Sequence, residues 1–281
     1  MKTTRKNQIL YVLAVILFLI LTLGPLLWLL SLSLTEETSI LTRDGGIVPA
    51  HIYGGNYARL FDPASKEHAL VFGALKNSLF AVLMTLGLGL PISYLSAYAY
   101  ARYRFKGRRF LLTALLISMV IPVFTTIIPI YAVYARFGLL DKLFFTALIY
   151  VSSLLPVNTW MMTNYLEQIP GELWEAARVD GCSERQIFFK LALPLSKPIL
   201  AASALMIVLM AWNQYQIPLI LTSSPAHKPI TLVLSDFVGR DVISVGMIAA
   251  SGIFAVLPPA LLAVIFRKFL VQGILRGSVK G

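Results

Sequence analysis

Long apolar runs alternate along the chain with short polar, mostly basic connections. Six runs stand out, at approximately 9–34, 74–100, 111–135, 143–166, 199–222 and 245–266, and Lys76, at the edge of the second, is the only charge inside them. Each reaches the length of about 20 residues that a helix needs to cross a hydrocarbon core of about 30 Å. The pattern predicts an all-α, polytopic integral membrane protein with six transmembrane helices. The first run follows "MKTTRKNQ"; it is too long for the apolar part of a signal peptide and lacks a small-x-small cleavage site, so it reads as an uncleaved span. Pro25, Pro91, Pro122, Pro129, Pro156, Pro218, Pro258 and Pro259 fall within runs. They predict kinks of the kind that neighbouring membrane helices tolerate.

Charge then sets direction. The 281 residues carry 24 Lys and Arg against 13 Asp and Glu, a net charge of +11. Sixteen of the basic residues lie on one side of the predicted membrane: Lys2, Arg5 and Lys6; Arg102, Arg104, Lys106, Arg108 and Arg109; Arg178, Arg185, Lys190 and Lys197; and Arg267, Lys268, Arg276 and Lys280. The other eight are Arg43, Arg59, Lys66, Lys76, Arg136, Lys142, Lys228 and Arg240. Basic residues in short loops stay in the cytoplasm. The N-terminus (1–8), the loop 167–198 and the tail 267–281 are therefore expected there, around one permease domain covering 9–281. The positive charge is a topology signal and does not point to nucleic acid. With one cysteine, Cys182, no intrachain disulfide can form.

The runs hold no HExxH, no GxSxG and no phosphate-binding loop, and the three histidines, His51, His68 and His227, are scattered over predicted external loops. Neither an enzyme centre, a metal site nor a proton relay is expected, and the chain cannot hydrolyse ATP itself. Uncharged polar clusters do occur: Thr125 and Thr126, Asn158 and Thr159, and Trp212, Asn213, Gln214, Tyr215 and Gln216. Such groups either join helices by hydrogen bonds or line a path for a hydroxylated solute. Asn158 and the five residues 212–216 are the candidates for that path.

One cytoplasmic loop departs from its surroundings. In "IPGELWEAARVDGCSERQIFFKLALP", Pro170 marks a helix start, Glu172 and Glu175 suit its first turns, and Gly181 suits its C-terminal turn. Leu173, Trp174, Ala177 and Ala176 form an apolar stripe. Ser183 with Gln186 reads as a capping box opening a second short helix, terminated by Pro194 and Pro198. A helix–turn–helix on the cytoplasmic face is expected, with a low surface at Ala176 and Ala177 for a partner or for lipid headgroups.

The order E-A-A, three residues, G, nine residues, aliphatic-x-aliphatic-P resembles the motif of the membrane subunits of ATP-binding-cassette importers, with Leu191 where isoleucine is common. "KNSLF", "YAYARYRFKGR", "AWNQYQIPLIL" and "GILRGSVKG" extend the resemblance over nearly the whole chain to the maltose-type permeases of carbohydrate importers. The resemblance implies that Glu175, Ala176, Ala177, Asp180, Gly181 and Pro194 couple the chain to partner ATPases, which carry ATP and magnesium, while this chain binds no cofactor. It implies a second, homologous permease, two ATPase copies, an external solute-binding protein, contact with membrane lipid and a sugar cargo moved by alternating access. It also implies a bacterial or archaeal inner membrane, and a tail similar to one that reaches the ATPase interface. A non-sugar solute of the same machinery, a passive channel and a membrane scaffold are the competing readings.

Overall fold

The computed structural model describes the backbone of residues 5–41, 49, 51–238 and 244–278. The basic residues at 2, 43, 240 and 280 lie outside the described residues. Among the described residues all regular structure is helical: α1 (Arg5–Ser33), α2 (Glu37–Leu41), α3 (Gly55–Phe61), α4 (Lys66–Arg102), α5 (Arg108–Ser118), α6 (Val123–Arg136), α7 (Leu143–Leu166), α8 (Gly171–Val179), α9 (Glu184–Gln186), a π-helical stretch (Ile187–Ala192), α10 (Leu193–Leu195), α11 (Lys197–Trp212), α12 (Gln216–Leu221), α13 (Ile230–Val238) and α14 (Val245–Ser278).

Among the described residues four helices, within α1, α4, α7 and α14, are long and apolar enough to cross a membrane, and up to six spans result if each of two bent pairs counts as one. The run 143–166 and α7 coincide. Others differ from the sequence expectation. The second helix starts at Lys66, eight residues before the apolar run, because Ser65 caps it there: its Oγ accepts the His68 N–H at 3.0 Å. The run 111–135 is not one helix, since α5 and α6 meet at 94°. Pro122 lacks an N–H and forces Ile121 toward extended geometry, and Pro122 itself sits at ψ 137°. The run 199–222 stops being helical at Trp212 and resumes at Gln216. Pro218 falls in the first turn of α12, where a missing N–H is tolerated. The backbone expected as a glycine-rich tail from 267 stays helical as far as Ser278.

The chain divides into two compact units: Met1–Gly73 with Val233–Leu257, and Ala74–Leu232 with Pro258–Gly281. In the first, a polar lock gathers the end of α1, α3 and the start of α14. Asn56 is buried and its Nδ2 donates to the carbonyls of Ser33 (3.0 Å) and Thr35 (3.3 Å). The Glu37 carboxylate accepts the N–H groups of Val245 (3.0 Å) and Gly246 (3.2 Å), satisfying donors that a helix start leaves free and lying where the helix dipole favours a negative charge. Phe61, Phe72 and Phe254 pack beside the lock, with Phe61 edge-on to Phe254 at 5.1 Å.

In the second unit α7 packs against α5, α11 and α12, and α6 packs against α12. Within α4, Asn77 Nδ2 donates to the carbonyls of Ala226 (2.8 Å) and Lys228 (3.0 Å), and Ser78 Oγ accepts the Ile230 N–H (2.9 Å). From the other side Asp141, at φ 58°, accepts the N–H groups of Ser223 (3.2 Å) and Ser224 (2.9 Å). The loop 222–229 is thus held at both edges, and the left-handed conformation of Asp141 is stabilised by the bonds its side chain makes.

Gly246 has no room for a side chain: a Cβ there would meet Asn56 Nδ2 at 2.5 Å and the Thr35 carbonyl at 3.2 Å. Gly246→Ala is expected to lower stability by about 1–3 kcal/mol, the cost of leaving the buried carbonyls unsatisfied. Thermal unfolding in detergent checks this, and a wild-type midpoint refutes the lock.

Candidate functional site

The loop 167–198 folds as the expected helix–turn–helix. α8 starts after Pro170, carries Glu172 in its first turn and ends in a Schellman turn. Gly181 takes φ 75°, its N–H donates to the Arg178 carbonyl, and the Cys182 N–H donates to the Ala177 carbonyl, both at 3.0 Å. A Cβ at 181 meets no neighbour, so glycine is needed there for its backbone alone. The capping box forms: the Gln186 N–H donates to Ser183 Oγ at 3.3 Å and the Ser183 N–H to Gln186 Oε1 at 2.8 Å.

The second arm differs from expectation beyond its cap. Pro194 and Pro198 do not end the second helix. Pro194 offers no N–H to the Lys190 carbonyl and crowds the preceding turn, which widens to π geometry over Ile187–Ala192 and returns to α at Leu193. Pro198 instead stands in the first turn of α11.

The stripe of α8 is also narrower than the spacing indicated. Trp174, 8% exposed, is the one buried residue of α8; Ala177 is half-buried, whereas Leu173 and Ala176 face outward. Helical spacing puts Leu173 and Ala177 on one side, but a helix lying on a surface buries only the line of closest approach. Trp174 enters a core of Tyr94, Ala97, Tyr98, Met162, Leu166, Ile187, Ala192 and Ile199, drawn from α4, α7, the π stretch and α11. Tyr98 meets both Trp174 (6.4 Å) and Phe188 (5.0 Å) edge-on, and Tyr94 Oη donates to Ser196 Oγ at 3.0 Å.

An ionic cluster closes the same joint from outside. The Arg102 guanidinium lies over the Trp174 ring at 5.4 Å and 3.9 Å from the Glu184 carboxylate. Glu184 also accepts from Arg178 (2.8 Å) and from Tyr103 Oη (3.3 Å). The Arg178 hydrogen bond holds the Glu184 carboxyl below its ordinary pKa, and Glu184 in turn raises Arg178. A carboxyl with a lowered pKa contributes stability above its ordinary pKa and loses it as pH falls through the lowered value, so at neutral pH the Glu184–Arg178 pair is ionised. Nearby, Arg108 pairs with Glu167, fastening the start of α5 to the end of α7.

Of the residues singled out in the sequence, Glu175, Ala176, Asp180 and Pro194 are exposed, Ala177 is half-buried and Gly181 makes the turn. Beside them lie Leu173 (41% exposed) and Val179 (87% exposed), so α8 presents an open apolar and acidic surface while Trp174 anchors its underside. Arg102, Tyr103 and Glu184 were not singled out as site residues, although Arg102 stands among the basic residues that set topology. The path candidates separate into two sets. Asn158, whose Nδ2 donates to the Leu154 carbonyl, and Trp212 are buried. Asn213, Tyr215 and Gln216 are exposed at the break between α11 and α12, and the half-buried Gln214 accepts from Thr231 Oγ1 through its carbonyl at 2.7 Å.

Residues 89–276 match the family described as binding-protein-dependent transport system inner membrane component. The chain belongs to this family. It is a multi-pass membrane permease subunit of the transport type, and the family is not one of enzymes. The permease is 30% identical to the galactooligosaccharides transport system permease protein GanQ of Bacillus subtilis, over 100% of this chain and 99% of the relative. It is 31% identical to the maltodextrin transport system permease protein MdxG of the same organism (94% and 95% covered) and 30% identical to the trehalose transport system permease protein SugB of Mycobacterium tuberculosis (92% of each). A bacterial ABC transporter involved in the import of the acidic polysaccharide alginate shares its fold, with a TM-score of 0.77, 22% identity and 95% and 98% of the two chains covered.

Removing the anchor tests the geometry. Trp174→Ala is expected to destabilise the hairpin by about 3–5 kcal/mol, the usual cost of deleting a buried aromatic side chain, seen as faster amide hydrogen exchange over 172–179 than in wild type. Leu173→Ala, on the outer face, leaves that exchange unchanged.

Proposed function

We propose that this permease imports a sugar (an oligosaccharide, a disaccharide or a related polyol) by alternating access, together with a second homologous permease, two ABC ATPases and an external solute-binding protein. In this reading six spans leave both termini and the hairpin on the cytoplasmic side, which the sixteen-to-eight distribution of basic residues supports. ATP and magnesium reside on the ATPases. The cargo reading is supported by relatives whose names specify galactooligosaccharides, maltodextrin and trehalose.

The observation that carries the coupling role is the division of labour within α8. A nine-residue helix keeps one tryptophan inside and turns Leu173, Glu175, Ala176, Val179 and Asp180 outward. An exposed apolar residue beside acidic ones, on a helix fixed from below, is a surface for a partner cleft, with Glu175 available for a charge-assisted hydrogen bond. Gly181 and the capping box keep the two arms of the hairpin at a set angle, so the ATPases move it as a body.

The helix breaks support the path. Within a bilayer, free backbone N–H and C=O groups are tolerated only against protein or water. The spans 111–135 and 199–222 are interrupted near 119–122 and 213–215, and the half-helices beyond the breaks, α6 and α12, pack together. Thr125, Asn213, Tyr215 and Gln216, exposed beside these breaks, are the side chains placed to meet sugar hydroxyls. Asn158 and Trp212 support the helices behind them.

The complete complex in liposomes, supplied with ATP inside and binding protein with labelled sugars outside, tests this reading. Glu175→Ala and Gly181→Pro are expected to reduce ATP-dependent uptake by about tenfold or more, and Leu173→Ala with Val179→Ala to weaken ATPase capture by a similar factor. Uptake that proceeds unchanged without ATP in all of them contradicts it and favours a passive channel.

A further inference from the structure

The helix after the hairpin in sequence is a poor transmitter: α11 stops at Trp212 and α12 begins anew at Gln216, while α5 and α6 meet at 94°. A displacement entering a broken helix is taken up at the break. α4 has no such break, running continuously through Pro91 from Lys66 to Arg102. It is also the helix on which the hairpin rests. Tyr94 bonds Ser196, Tyr98 meets Trp174 and Phe188, and the terminal Arg102 covers Trp174 and faces Glu184. These contacts reach both arms of the hairpin and the start of α11.

The same helix grips the far loop. Asn77 holds the carbonyls of Ala226 and Lys228, and Ser78 holds the Ile230 N–H. Asn77 and Arg102 are 25 residues apart on α4, or about 38 Å at the α-helical rise, which exceeds the thickness of a hydrocarbon core.

We infer that Asn77 and Arg102 are positioning residues at the two ends of one strut, the stretch of α4 between them, through which displacement of the hairpin is carried to the loop 222–229 on the side of the solute-binding protein. This rests on the importer reading. It adds a route that bypasses the broken spans and runs through a helix distant from the hairpin in sequence. Both attachments of α4 are made by side chains, so each can be cut without altering the chain path. Asp141, just before α7, holds the other edge of the same loop. Cutting Asn77 alone therefore weakens transmission without abolishing it.

The test compares wild type, Asn77→Ala, Arg102→Gln and the double variant in the reconstituted complex. The readout is the ratio of ATP hydrolysis with sugar-loaded binding protein to hydrolysis without it. Each single variant is expected to lower this ratio by about fivefold or more, and Asn77→Gln, which keeps the amide donor, to recover part of the loss. Because both residues act along one strut, the double variant should lose less than the product of the two single losses. Losses that multiply overturn the strut, as does a wild-type ratio in Asn77→Ala. If the role of Asn77 were only structural, both hydrolysis rates would fall together and the ratio would stand, which also overturns it. A wild-type complex that binding protein fails to stimulate overturns the importer reading itself.

Discussion

The insertion of Trp174 between the ends of α4 and α7 is the contact on which the position of α8 depends. A nine-residue helix is too short to be stable alone. α8 buries a single side chain, so its position is set by that indole, by the tyrosines that meet it and by the Arg102 guanidinium laid over it. Apart from the half-buried Ala177, the rest of α8 is thereby free to face outward. The capping box and the Schellman turn around Gly181 then fix the second arm relative to the first without using further apolar residues.

The two sides of the second unit handle strain in opposite ways. Around the hairpin, aromatic packing and an ionic cluster of Arg102, Arg178, Tyr103 and Glu184 reinforce one another. Within the spans, the turn before Pro122 and the 213–215 segment interrupt helices. A transporter needs both stiff segments that move as bodies and interrupted ones that bend. The π stretch at 187–192 lies between the two regimes, a widened turn tied to Pro194.

Much of this was legible in the sequence, and the exceptions have physical causes. Apolar length gave four long spans and matched α7 to the residue, whereas polar caps and helical continuation carried α4 and α14 past their apolar runs. Gly181 and the Ser183–Gln186 pair were readable since each acts through its own backbone neighbours. Pro122 signalled a kink, but its 94° angle depends on what α5 and α6 each pack against, which no local pattern records. The inward face of α8 is narrower than spacing indicates for the same reason: of the stripe, Trp174 is buried and Ala177 packs beside it, while Leu173 and Ala176 face outward. Arg102 was visible as a basic residue, but its place over an indole 72 positions later in the chain is a property of the fold.

The account stands most directly on what α8 touches from outside. In a Cys182→Ser background, a photo-activatable benzophenone attached to Val179→Cys in the assembled complex reports its neighbour. The prediction is an adduct with the ATPase subunit whose yield changes when nucleotide is added. An adduct with lipid alone, unchanged by nucleotide, would show the hairpin resting on the membrane surface and would contradict its role as the joint.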